Sequence, residues 1–398
     1  MLCAAASASR QPLPDLLTTI TTQVRSELGE AAPDLAVVFL SNHFEDEAAQ
    51  IAEEVAARLQ CQAQIGCSGE GVIGPSREHR QEPALALWAA CLSAGARASS
   101  FNVDASTLAL IAEERSWREH LGLTEEPGTL ILLADPFTTD IGGLLAGIND
   151  TAPGWSVFGG MVSGAEAPGQ AALIANGSTY RDGIVGVALN DRVLVNPVVS
   201  QGCRPIGKPY IVTKADRRII YQLGGQNPLR VLEQIFEAAT PEERSLMRQG
   251  VLVGQAIKET QPEFRRGDFL IRHLHNAHPG SGAIGVSDAM RVGVTVQFHV
   301  RDAASADEDL RALVNGSQGP ERPSGALLFS GNGRGTRLFP GLESHDVGVL
   351  RELVPDLPVA GFTCAGELGP LGGKNFIHGQ TASIAFFRSR NDGPIPAS

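Results

Sequence analysis

Three stretches of the chain share one order of apolar and polar positions. The first opens on AVVFLSN (residues 36–42), runs through EDEAAQIAEEVAARL and closes on AQIGCSGEG (residues 63–71). In its middle, Ala48, Ile51, Ala52, Val55 and Leu59 recur at helical spacing, so one face is apolar while Glu and Arg fall outside it. The second stretch reads TLILLADPFTTD, IGGLLAGIND and WSVFGGMVSGAEA (residues 129–167); the third reads SGALLFSGNGRG, HDVGVLRELVPD and LPVAGFTCAGELG (residues 324–369). Each pattern predicts a buried strand, a short helix and a second strand that ends at a loop of small residues. The repeat length, about 30–40 residues, is one at which internal duplication is a serious reading. A further apolar strand is predicted after each loop, at residues 83–92, 183–190 and 381–389.

Between the second and third stretches the signals change. Thr240-Pro241-Glu242-Glu243 and Ser305-Ala306-Asp307-Glu308 each have the form of a capping box that starts a helix. GVLVGQAI, FLIRHL and GVTVQFHV, at residues 250–257, 269–274 and 293–300, read as strands because they are β-branched and partly alternating. The Pro- and Gly-rich stretch at residues 196–209 is the expected boundary. The fold expected is therefore α/β: two fused, pseudo-repeated halves with helix-covered mixed sheets, each half a candidate αββα layered sandwich. The expected division is an N-terminal segment at 1–35, domains at 36–195 and 205–388, and a disordered tail at 389–398. Residues 13–28 are expected to form a helix.

Composition narrows the function. The chain is 43% hydrophobic and 19% charged, holds 45 glycines and carries a formal net charge of −12 without a dense Lys/Arg block. A basic surface is what neutralises phosphate, so nucleic acid and anionic membranes are not expected partners. The six cysteines lie far apart with no CxxC pair, which suits reduced thiols and a cytoplasmic location. No metal or cofactor site is expected. His273, His275 and His278 lack the carboxylate or thiolate company that zinc usually has.

The loops carry the candidate chemistry. Gly66, Cys67, Ser68, Gly69 and Glu70 approach the G-x-S-x-G nucleophile elbow but place Glu70 where the last glycine belongs. A ligand-binding loop fits these residues better, with Ser163 in the second loop and Thr363, Cys364 and Glu367 in the third. Glu70 and Glu367 then stand in comparable positions. Gly331-Asn332-Gly333-Arg334-Gly335 follows a strand and suits an anion, with Asn332 and Arg334 as contacts. A tight packing turn is the competing reading of each loop.

FHVRDAASADEDL (residues 298–310), ALLFSGNGRG and VAGFTCAGELGPLGGKNFIHGQTASIAFF (residues 359–387) resemble the C-terminal half of the FIST family, named for F-box and intracellular signal transduction proteins. VVFLSNHF followed by IGCSGEGVIG resembles its N-terminal half, so the likeness runs from about residue 36 to 387. The resemblance implies a sensory module for a small ligand, an amino acid or related small anion. It implies a signalling partner such as a histidine kinase, a chemotaxis receptor or a cyclic-dinucleotide enzyme. No segment before residue 33 resembles an F-box, which suggests a stand-alone module. Where the family pattern has a Cys ahead of the Gly-Arg pair, this chain has Asn332. The resemblance supplies no catalytic residue, and the chain is not expected to be an enzyme. A hydrolase or acyltransferase using the Cys and Ser loops, or a protein–protein adaptor, are the alternatives.

Overall fold

The computed structural model describes residues 1–260, 263–264, 266–319 and 321–389. The expected tail therefore lies, beyond residue 389, outside the described residues. The chain forms two compact units, Met1–Val199 with Arg311–Ser398, and Ser200–Leu310.

The first unit begins with strand β1 (Leu2–Ser9) and helix α1 (Leu13–Leu28), followed by β2 (Leu35–Ser41), α2 (Ala48–Leu59), β3 (Ala63–Gly69), the short hairpin β4 (Gly71–Ile73) and β5 (Glu78–Arg80), and β6 (Ala84–Cys91). The second copy of the plan comprises β7 (Ala98–Val103), α3 (Ala105–Glu114), α4 (Trp117–His120), β8 (Thr129–Ala134), α5 (Ile141–Thr151), β9 (Ser156–Met161), the hairpin β10 (Leu173–Ala175) and β11 (Ser178–Tyr180), and β12 (Ile184–Leu189). After β13 (Leu194–Ser200) the chain enters the second unit. There β14 (Cys203–Asp216), β15 (Ile219–Leu223), β16 (Leu252–Ala256), β17 (Phe269–His278), β18 (Ala283–Val286) and β19 (Thr295–Arg301) close an antiparallel barrel, with α6 (Pro228–Ala238) and α7 (Pro241–Gln249) between β15 and β16. Helix α8 (Ala303–Gly316) leads to the third copy: β20 (Gly325–Gly331), α9 (His345–Leu353), β21 (Val359–Cys364), the hairpin β22 (Gly366–Leu371) and β23 (Lys374–His378), and β24 (Ala382–Arg388).

The mixed α/β character and the three repeated units are as the sequence predicts. Each copy builds a six-stranded sheet, and the three sheets have the orders β1-β6-β2-β3-β10-β11, β7-β12-β8-β9-β22-β23 and β13-β24-β20-β21-β4-β5. In every sheet the central two strands are the parallel pair of one copy, β2–β3, β8–β9 or β20–β21. The outer hairpin always belongs to a different copy. The β4–β5 hairpin pairs onto β21, β22–β23 onto β9, and β10–β11 onto β3. The three copies thus exchange hairpins in a closed cycle.

This arrangement explains the continuous apolar runs. Strands β2, β3, β8, β20 and β21 are buried along their whole length, as strands covered on both faces must be. Val37, Phe39, Ile131, Leu133, Leu327 and Phe329 face a core shared by all three sheets, whereas Val38 and Leu40 pack outward with α1 and α2. Phe362 stacks on Phe39 with ring centroids 5.3 Å apart and meets Phe329 edge-on at 6.1 Å. Copies one and three are joined there.

Residues 1–35 are an integral part of the first unit: β1 pairs with β6 and α1 packs in the outer core of the same sheet. The capping box at Thr240 forms with both reciprocal bonds. The second expected box does not start its helix. Helix α8 begins at Ala303, and the Asp302 carboxylate accepts from Ser305 N at 2.7 Å, so a cap three residues earlier replaces Ser305.

Candidate functional site

The small-residue loops are the points where hairpins leave one sheet for another. Between β3 and β4 lies Glu70 alone; between β21 and β22 lies Ala365 alone; between β9 and β10 runs a longer link containing Ser163. Register fixes how these junctions correspond. Leu173 sits opposite Cys67, Val72 opposite Phe362 and Glu367 opposite Gly160. Cys67, Phe362 and Gly160 are therefore equivalent, and three residues later so are Glu70, Ala365 and Ser163. The expected match of Glu70 with Glu367 is corrected by this register: the counterpart of Glu367 is Val72.

The junctions meet. Glu70 N donates to Ser163 Oγ at 2.9 Å, Ser163 Oγ donates to the Thr363 carbonyl, and Ala365 N donates to the Met161 carbonyl at 3.0 Å. Small residues are needed for this approach. A Cβ on Gly160 would lie 2.4 Å from Cys364 Sγ, and one on Gly66 would lie 2.2 Å from the Val38 carbonyl oxygen.

Six of the ten expected contacts, Gly66 among them, lie in this packed interior. Cys67, Ser68 and Cys364 are fully buried, and Ser163 and Glu367 nearly so. Ser68 Oγ accepts from Ala172 N at 3.1 Å, and Glu367 accepts from Thr381 N at 2.8 Å. Burial pushes the Cys67 and Cys364 thiols well above their ordinary range, with the Glu367 carboxylate adding to the rise at Cys364. Neither thiol is poised as a nucleophile. Glu70, Thr363, Asn332 and Arg334 are brought to one polar cleft of about 190 Å³. The junctions supply Glu70 and Thr363, and the loop after β20 supplies the other two.

The opposite wall is the β4–β5 hairpin with Arg77, Glu78, Arg80 and Glu82, joined by Arg10 from the end of β1. Glu78 is buried and acts as a cap for α9: its Oε1 accepts from Asp346 N at 3.0 Å while its Oε2 accepts from Arg80 Nη2 at 2.8 Å. The helix's own N-cap residue, Ser344, makes no such bond to it and instead accepts from Glu78 N at 3.0 Å. A carboxylate here also meets the positive end of the helix.

Arg334 forms the floor. Its Nε and Nη2 donate to the two oxygens of Asp346 at 2.8 and 2.7 Å, and its plane lies over the Phe339 ring, 5.5 Å from the centroid. Only 1% of Arg334 is exposed, and its Nη1 has no hydrogen-bond partner. Burial alone would raise both nearby carboxyls. It does raise Glu78, helped by the charge of Asp346, but the Arg334 guanidinium and His345 hold Asp346 well below the usual carboxylate range.

Sequence reasoning missed the hairpin wall and Asp346. The run Arg77-Glu78-His79-Arg80-Gln81-Glu82, dense in charge between two apolar strands, was a readable signal for the hairpin. Asp346 gave none, since an acidic residue in the first turn of a helix is ordinary. Among the described residues, no group of three or more His, Cys, Asp or Glu is placed to hold a metal ion, and no helix is long and apolar enough to cross a membrane.

The FIST N domain matches residues 34–226 and the FIST C domain matches residues 228–370. The chain belongs to the FIST family. FIST domains are associated with sensing in signal transduction. This FIST chain is similar to Uncharacterized protein Mb0898c of Mycobacterium bovis, 41% identical over 370 residues that make up 92% of this chain and 93% of the relative. It is equally similar to Uncharacterized protein Rv0628c of Mycobacterium tuberculosis, 41% identical over 368 residues, or 91% and 93% of the two chains. The boundary between the two FIST matches falls inside the second compact unit, after β15.

Proposed function

We propose that this FIST chain is a small-ligand sensor whose cleft holds an amino acid or a related small anion and reports to a signalling protein. The observation that carries this reading is the buried Arg334 guanidinium, which lines the cleft with its Nη1 unpartnered. Leaving such a donor buried and unpaired costs about 1–3 kcal/mol, which an anionic oxygen of a ligand recovers. Glu70 offers a carboxylate with no ion pair of its own among the described residues, suited to an ammonium group. At about 190 Å³ the space suits a metabolite of a few heavy atoms rather than a nucleotide. The cleft residues hold and orient a ligand; the cleft itself contains no activated nucleophile. Arg334 is tied through Asp346 to the first turn of α9, which gives a bound ligand a direct path to a helix.

The test is calorimetry and thermal unfolding against the amino acids, small dicarboxylates and inorganic phosphate. One of these is expected to stabilise the wild type by about 2.7 kcal/mol at a hundredfold excess over its Kd. Asn332→Ala and Glu70→Gln are expected to weaken it tenfold or more. The reading fails if nothing in the panel binds, or if the variants bind as tightly as the wild type.

A further inference from the structure

Beside the cleft, three side chains form a chain of hydrogen bonds that ligand sensing does not use. Ser7 lies on β1, partly exposed, and its Oγ is 3.0 Å from His79 Nε2. His79 Nδ1 is in turn 2.8 Å from Glu82 Oε1. We propose that Ser7, His79 and Glu82 are a nucleophile, a general base and its positioning carboxylate, and that this chain transfers or hydrolyses the acyl group of a small ester.

The direction of each bond follows from the charges. Arg77 and Arg10 hold the Glu82 carboxylate at 2.8 and 2.5 Å, the latter on its second oxygen. Although its burial works the other way, the hydrogen bond from His79 and these two guanidinium groups keep Glu82 ionised below its ordinary range. An ionised carboxylate takes a proton donor, so the proton of a neutral His79 sits on Nδ1 and the lone pair of Nε2 faces Ser7. Burial, foremost, pushes the His79 pKa down, which favours the neutral imidazole with a free lone pair. Ser7 Oγ then donates to Nε2, which is the relation a hydroxyl nucleophile needs with its base. Room for the hydroxyl is made by Gly74 in the hairpin turn, where a Cβ would come within 1.9 Å of Ser7 Oγ.

Such a triad is recognised by geometry and roles, whatever the order of its members along the chain. In the reaction, a bond forms from Ser7 Oγ to the acyl carbon while the serine proton moves to His79 Nε2. The bond from that carbon to the leaving oxygen breaks, and the departing alcohol takes the proton from Nε2. Water, deprotonated by the same nitrogen, then releases the acid and restores Ser7. Arg10 and Arg77 at the rim favour an ester that carries a negative charge.

The test treats the full chain with a fluorophosphonate, whose P–F bond is displaced by an activated serine with loss of fluoride. Peptide mass spectrometry is expected to find one adduct, on Ser7, absent in Ser7→Ala. His79→Gln is expected to slow labelling at least a hundredfold, and Glu82→Gln by about three to four orders of magnitude. The wild type supplies a readout that needs no variant. His79 is faced by Glu82 and Arg77 from the hairpin and by Arg10 from β1, and labelling is expected to be level at neutral pH and to fall in acid as the imidazole protonates. Absence of a Ser7 adduct overturns the proposal. So does a Ser7 adduct that forms as fast in folded His79→Gln, or one whose rate does not fall in acid.

Discussion

Two of the exchanged hairpins are seated on the same backbone plan with opposite chemistry. Where β22–β23 docks on the second copy, Asn375 closes the contact with neutral amides. Its side chain accepts from Val157 N at 2.7 Å and donates to the Trp155 carbonyl at 2.8 Å, and three further bonds, two of them from its main chain, join it to Asn149 of α5 at 2.9, 3.0 and 3.0 Å. Where β4–β5 docks on the third copy, Glu78 stands against α9 with Arg80 beside it and the Arg334–Asp346 pair behind. An amide carries donors and acceptors together and can complete its own network. Carboxylates only accept and guanidinium groups only donate, so a charged seat must match its groups in number. At the third copy one guanidinium nitrogen is left over. The fold needs a filled seat, and the third copy departs from it where the cleft lies.

The largest effect is expected from Asp346→Ala. It leaves Arg334 charged and buried with no partner, and chemical denaturation is expected to show a loss of about 3–5 kcal/mol. The same pair sets an acid limit. Asp346 is depressed in the folded state, so its contribution is complete above the ordinary carboxylate range and drains away as pH falls through that range toward the folded value. Denaturation at stepped pH should show this fall in the wild type and a flatter profile in Asp346→Asn.

Asn375→Ala tests the neutral seat. It strands Val157 N and the Trp155 carbonyl in the interior, while Asn149 keeps its two bonds to the main chain of residue 375; unfolding is expected to be easier by about 1–3 kcal/mol, with no change in ligand binding at the cleft. The smallest effect is a gain. Gly348 lies on the exposed side of α9, and nothing stands within 4 Å of the site its Cβ would occupy. Gly348→Ala should stabilise the protein by about 0.5–1 kcal/mol in the same assay.

The elements were legible in the sequence because burial on both faces of a strand leaves an unbroken apolar run. Ala48, Ile51, Ala52, Val55 and Leu59 are all buried on α2, as their spacing requires. Three copies of the pattern were legible for the same reason. Which hairpin pairs with which sheet was not, since Val72 and Glu367 contact strands of other copies that no local pattern names. The site was legible by halves. Arg334 and Asn332 stood out in a glycine-rich turn, and Glu70 stood out by breaking a motif. Small residues at Gly66, Cys67 and Ser68 look alike whether they line a ligand or let two backbones touch, and here they do the second. Of the groups that give Arg334 its character, Asp346 stands twelve residues on in a helix, and Glu78 comes from a hairpin far away in the chain.

The hairpin exchange also bears on how the protein is made. Synthesis completes β4–β5 by Arg80, yet the strand that receives it, Val359–Cys364, follows only much later in the chain. Until then its edge and the apolar face of Val72 have no native cover. A chain cut short anywhere before the third copy is therefore left with an open strand edge rather than a smaller finished domain. Such truncations should be cleared or aggregate rather than accumulate as working fragments.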